Sequence, residues 1–142
     1  MGVLETPRGN GKSTFGGALG VWAAFDDDET GAPQVPIIAT TIGQAIRSCY
    51  GVSVSMVKAE PELLRRSLIY TGIATPRIVV PFNEGELFPV SNDPDGLQGL
   101  DPSLALFDEI GFQPMQSWDA LRLAQGKRER SLILGVGTPG VD

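Results

Sequence analysis

Val3-Leu4-Glu5-Thr6-Pro7-Arg8-Gly9-Asn10-Gly11-Lys12-Ser13-Thr14 is a short apolar run, a glycine-rich turn and a Lys-Ser-Thr triplet that opens a helical pattern. Strand, turn and helix in that order are the context in which Gly-Lys-Ser holds phosphate. Glycines let the backbone curl so that successive N–H groups point inward. The helix N-terminus adds about half a positive charge at the same point. On this reading Gly9, Asn10, Gly11, Lys12, Ser13 and Thr14 cradle a triphosphate, with Lys12 bridging its β- and γ-phosphates and the Ser13 hydroxyl a ligand of Mg²⁺. ATP and Mg²⁺ are the expected ligands. The stretch departs from the full phosphate-loop pattern at Thr6, where that pattern has a glycine. Gly-Lys-Ser without its flanking elements is a weak signal, and the alternative reading is a glycine-rich turn with a surface lysine.

A second stretch fits the first. Leu104-Ala105-Leu106-Phe107 is continuously apolar and runs into Asp108-Glu109. A buried strand of this kind delivers its last residues to the carboxyl edge of a sheet, where open α/β folds bind ligands. Asp108 is expected to hold Mg²⁺ through a water, and Glu109 to orient and deprotonate an attacking water. Such a pair also occurs at ordinary strand ends; the phosphate loop upstream gives it meaning. The chain has no histidine, so a carboxylate is the natural base. Arg8 either reaches the γ-phosphate, as an arginine finger does, or faces solvent or pairs with a carboxylate. Leu132 to Val136 is another apolar strand, leading to Thr138, which either senses the γ-phosphate or marks a plain strand exit.

Between these landmarks the pattern alternates. A helix is expected from about Lys12 to Phe25, with Phe15, Ala18, Leu19 and Trp22 as its buried face. Gly16, Gly17 and Gly20 lower its helix propensity but suit close packing on a sheet. Asp26 to Glu29 reads as a solvated acidic turn, because consecutive carboxylates do not converge on one ion without a shaped loop. Val35 to Thr41 reads as a strand, and Ile42, Ala45, Ile46, Cys49, Met56 and Val57 recur at helical spacing. Pro61 opens a further helix running through Leu63, Leu64 and Leu68. Two apolar runs flank Asn83-Glu84-Gly85, a hairpin signal read as an insertion. Asn92 to Pro102 reads as a loop, and a helix follows from about Met115 to Gln125. Alternation predicts an α/β fold with a mainly parallel sheet flanked by helices.

The 142 residues fit one domain, and 42% hydrophobic with 20% charged residues suits a folded chain. No apolar run reaches the roughly 18 residues of a membrane span. The lone Cys49 excludes an intrachain disulfide, fits a reducing cytoplasm and reads as a small core residue. The net charge of −6 shows no overall basic excess of the kind a dedicated nucleic-acid surface carries. Lys127-Arg128 with Arg130 is a local basic cluster, read first as a solvated turn and second as a DNA or neighbouring-subunit contact.

Taken together, Pro7 to Ser13 with Arg8 four residues before Lys12, Ala39-Thr40-Thr41-Ile42-Gly43-Gln44-Ala45, Gly96 to Pro102 running into Leu106-Phe107-Asp108-Glu109, and Gly137-Thr138-Pro139-Gly140 resemble the ATPase domain of phage terminase large subunits. The resemblance spans nearly the whole chain. It implies a P-loop NTPase of the RecA-like ASCE type, truncated at both ends, with residues 1–142 forming part of the ATPase domain and the C-terminal nuclease domain absent. It further implies ATP hydrolysis coupled to translocation of double-stranded DNA by a homo-oligomeric ring. The small terminase subunit and the portal protein would be partners, in the host cytoplasm and away from any membrane. Another ASCE nucleic-acid translocase of helicase type, or an inactive fragment of a terminase gene, are the alternatives.

Overall fold

The computed structural model describes residues 2–5, 11–26, 32–72, 76–108, 115–125 and 131–137. In chain order these form β1 (Gly2–Glu5), α1 (Lys12–Ala24), β2 (Gln34–Ala39), α2 (Ile42–Arg47), α3 (Cys49–Ala59), α4 (Pro61–Arg65), β3 (Leu68–Tyr70), β4 (Arg77–Val80), β5 (Gly85–Ser91), α5 (Pro94–Gln98), β6 (Leu104–Asp108), α6 (Met115–Gln125) and β7 (Leu132–Gly137). The strands make one sheet in the order β1-β7-β6-β2-β5-β4-β3. From β1 to β5 every pairing is parallel; β5 with β4 and β4 with β3 are antiparallel. The sheet is therefore α/β and mainly parallel, as the alternating pattern predicts.

Chain order and spatial order differ where it matters for a ligand. The glycine-rich turn follows β1, and the acidic pair begins at the end of β6, yet β7 lies between those two strands. Parallel pairing puts the carboxyl ends of β1, β7, β6 and β2 along one edge.

Side-chain alternation explains why β6 is apolar throughout. Leu104 and Leu106 join the core beneath α1 and α3, whereas Ala105 and Phe107 join the core beneath α6. Phe107 stacks on Trp118 of α6 at 4.4 Å between ring centroids, which fastens that helix to the sheet. The Asn83 side chain donates to the carbonyls of Ala24 and Asp26 at 3.0 and 3.1 Å, so the β4–β5 turn caps the C-terminus of α1.

Five sequence expectations change. The stripe Phe15, Ala18, Leu19 and Trp22 is not the buried face of α1: Phe15 is 47% and Trp22 65% exposed, Ala18 is exposed, and only Leu19 packs partly on the core. The buried residues are Gly16, Gly17, Gly20, Val21, Ala23 and Ala24. The glycines let α1 approach α3 more closely than a stripe of large side chains permits, and that approach outweighs the apolar period. The helical spacing from Ile42 to Val57 is interrupted at Ser48, giving α2 and α3. The helix opened by Pro61 stops at Arg65, and Leu68 belongs to β3, an edge strand paired with β4. The hairpin around Asn83-Glu84-Gly85 is present, but β5 is no insertion, since it pairs with β2 along its length. The stretch 92–102 also holds the short helix α5, capped by the Asp93 carboxylate.

The α1–α3 contact yields a test. A Cβ at Gly17 would lie 2.7 Å from Cγ1 of Val52 and 3.0 Å from the carbonyl oxygen of Cys49. Gly17→Ala gains helix propensity but overpacks this contact, and is expected to cost about 1–3 kcal/mol net. Urea unfolding checks it; an equally or more stable variant contradicts the close packing.

Candidate phosphate and metal site

Gly11 caps α1 with φ 79° and ψ 21°, a left-handed conformation that a residue with a Cβ adopts at a cost. Its carbonyl accepts the N–H of Phe15 at 2.9 Å, closing the first helical turn. The cap residue has no side chain to occupy the first-turn N–H groups, and no acidic residue lies in that turn. Such a helix start favours an anion. Lys12 and Ser13, both half-buried, are its first two residues.

Asp108 reaches the same place from β6. It is only 1% exposed, on the α1–α3 side of the sheet by its alternation with Leu104 and Leu106. Burial raises its carboxyl above the ordinary carboxylate value; the backbone N–H of Cys49, the positive charge of Lys12 and the Cys49 thiol each pull it back. The Ser48 hydroxyl donates to Oδ2 of Asp108. Cys49 lies fully buried beneath the start of α1, near Asp108 and Ser13. Its thiol is pushed up to about 12, first by burial and then by the negative charge of Asp108, with Lys12 acting against both.

The structure thus brings Lys12, Ser13 and Asp108 together with Ser48 and Cys49. Thr14 is exposed one residue on and borders an open groove of about 590 Å³, also lined by Arg47, Ser48, Gly51 and Ser55. Arg8, Gly9, Asn10, Glu109 and Thr138, and the cluster Lys127, Arg128 and Arg130, lie outside the described residues. Ser48 is the residue that sequence reasoning missed. Nothing in a Ser inside a helical period announces a helix break. Cys49 was read as core, and it is core, but its position against Asp108 was not legible.

The donors present suit Mg²⁺ bound with a nucleotide. Among the described residues no group of three or more Asp, Glu, Cys or His side chains could hold a metal by itself. One carboxylate and one hydroxyl beside a helix start that favours an anion are hard oxygen donors, the kind Mg²⁺ takes when phosphates and water complete its shell.

The sequence matches the family model described as terminase large subunit, ATPase domain, over residues 2–142. The chain belongs to that family. Among solved structures, the fold resembles the large terminase of bacteriophage HK97, with 23% identity and a TM-score of 0.80, over 96% of this chain and 29% of that one. It also resembles the ATPase domain of a Thermus phage large terminase, with 20% identity and a TM-score of 0.75, over 99% of this chain and 61% of that domain. A large terminase from a thermophilic bacteriophage, solved in complex with ADP, matches with 16% identity and a TM-score of 0.73, over 95% of this chain and 33% of that one. The chain therefore spans about a third of two of these terminases and less than two thirds of the isolated ATPase domain. No curated protein sequence is significantly similar. No described helix is long and apolar enough to cross a membrane.

The buried thiol and phenol set an alkaline limit on the fold. Cys49 rises from 9.0 and Tyr50 from 10.0, each to about 12, both chiefly through burial. In the unfolded chain both ionise at lower pH, so their contribution to stability is intact below about pH 9 and drains away as pH climbs toward 12. Urea unfolding between about pH 8 and 11 should show stability falling, and Cys49→Ala should flatten part of the fall. The same slope in both proteins would remove the thiol from this account.

Proposed function

We propose that this chain binds ATP with Mg²⁺ and forms the hydrolytic core of a motor that packages double-stranded DNA. The convergence of Lys12, Ser13 and Asp108 at the carboxyl edge of the sheet carries the reading. Lys12 and Ser13 open α1, the element after β1 in the chain, and Asp108 ends β6, with β7 between those two strands; the family to which the chain belongs is the terminase ATPase domain.

Each residue then has a task that its chemistry suits. The start of α1, with Gly9, Asn10, Gly11 and Thr14, supplies N–H donors to the phosphates. Lys12 places its ammonium between the β- and γ-phosphates, where negative charge shifts during transfer. Ser13 and Asp108 would hold Mg²⁺, Asp108 through a water, and the ion would supply charge neutralisation on the phosphate oxygens. Glu109, the next residue in sequence, would orient the attacking water and take its proton. Arg8 is the nearest candidate for the arginine finger, and Thr138, just past β7, for the residue that reports loss of the γ-phosphate. Coupling to DNA, assembly as a homo-oligomeric ring on the portal protein and pairing with the small terminase subunit in the host cytoplasm follow from the family reading.

Nucleotide binding is the first test. Saturating Mg-ATP should raise the melting temperature of the chain, since a ligand at about 100 times its Kd adds about 2.7 kcal/mol. Lys12→Ala should weaken binding at least about tenfold, the loss of one charge-assisted phosphate contact. Glu109→Ala should bind as the unsubstituted chain does and abolish turnover. Equal affinity in Lys12→Ala, measured calorimetrically, contradicts the site.

A further inference from the structure

We infer that Ser48, at the break between α2 and α3, is a positioning residue for Asp108, and that the break exists to seat that carboxylate on the N-terminus of α3. The inference rests on the proposed Mg-nucleotide site.

The backbone shows how the seat is made. Were residues 42–59 one continuous helix, the N–H of Cys49 would be spent on the carbonyl of Ala45. Instead Ser48 has φ −123° and ψ −116°, well outside the helical region. Its own N–H takes the Ala45 carbonyl at 3.2 Å, and α3 restarts with Val52 N–H donating to Ser48 carbonyl at 3.0 Å. Cys49 becomes the first residue of α3, beside the Asp108 carboxylate. The Ser48 hydroxyl donates to Oδ2 of Asp108, and also lies 3.0 Å from the Gln44 carbonyl. A hydroxyl has one proton, and the charged oxygen is the stronger acceptor.

The Ser48 hydroxyl and the positive end of an 11-residue helix therefore hold Asp108 from the α3 side. A buried carboxylate beside Lys12 has a competing option, which is to swing onto the ammonium that the phosphates need. The seat opposes that option by holding Oδ2 from the other side. The seat is also held in register with the start of α1, because α3 packs on α1 where Gly16 and Gly17 meet Cys49 and Val52.

The test is the Mg²⁺ dependence of nucleotide affinity, measured calorimetrically with ATPγS, with and without Mg²⁺, on the whole chain. The unsubstituted chain should bind more tightly with Mg²⁺. Ser48→Ala should lose about tenfold of that gain while metal-free affinity stays within twofold, and Ser48→Thr, which keeps the hydroxyl, should restore it. In an Asp108→Asn background, Ser48→Ala should have no further effect on the Mg²⁺ dependence. Should Ser48→Ala unfold below the assay temperature, Ser48→Cys, of similar shape with a weak donor, carries the same expectation. A Mg²⁺ gain unchanged by these variants overturns the seat and leaves the nucleotide site standing. An unsubstituted chain indifferent to Mg²⁺ overturns both.

Discussion

A carboxylate buried at the end of a strand is the constraint on which the rest of this structure turns. Asp108 is held out of water by β6, α1 and α3, and a charge in that position is stable only if donors and a cation surround it. The molecule supplies the hydroxyl of Ser48 and the field of Lys12. With Asp108 these groups belong to the start of α3, to α1 and to β6, so the fold must bring those three elements to one point.

That requirement accounts for features otherwise at odds with local preference. Three glycines in α1 weaken an isolated helix, yet they face α3 and the sheet, where Cys49, Val52, Ser53, Leu87 and Leu106 fill the space side chains would need. A helix break at Ser48 gives up regular bonding, yet the Ser48 hydroxyl there donates to the carboxylate. The outward-facing Phe15 and Trp22 are the counterpart of burying the glycine face. The strand order contributes as well: with β7 between them, β1 and β6 stand on either side of one strand.

Much of this was legible beforehand. The apolar run of β6 reads as a strand buried on both faces, and Phe107 with Ala105 on one side and Leu106 with Leu104 on the other is what such a run means. The segments containing β1, α1, β2, β6, α6 and β7 stand where periodicity and turn signals predict them. The failures have specific causes. Leu68 fits a helical period by chance, but Ser67 folds back on the last turn of α4 through Leu63 and Leu64, and the chain leaves as an edge strand. The apolar stripe of α1 satisfies the period of an amphipathic helix, but period alone does not say whether side chains or glycines meet the neighbouring helix.

What the amino-acid sequence determined by itself was local and chemical: the glycine-rich turn ahead of Lys12 and Ser13, the apolar strand carrying Asp108, the absence of histidine, and hence the kind of ligand such groups take. Those properties reside in side chains and in backbone freedom over a few residues, so they are readable without contacts. Tertiary structure alone decided that β7 separates the two strand tips, that glycines form the inner face of α1, and that Ser48 and Cys49 stand behind Asp108. Each of these depends on residues distant in the chain competing for the same volume and the same hydrogen bonds, and the outcome of that competition is set only when the elements are packed together.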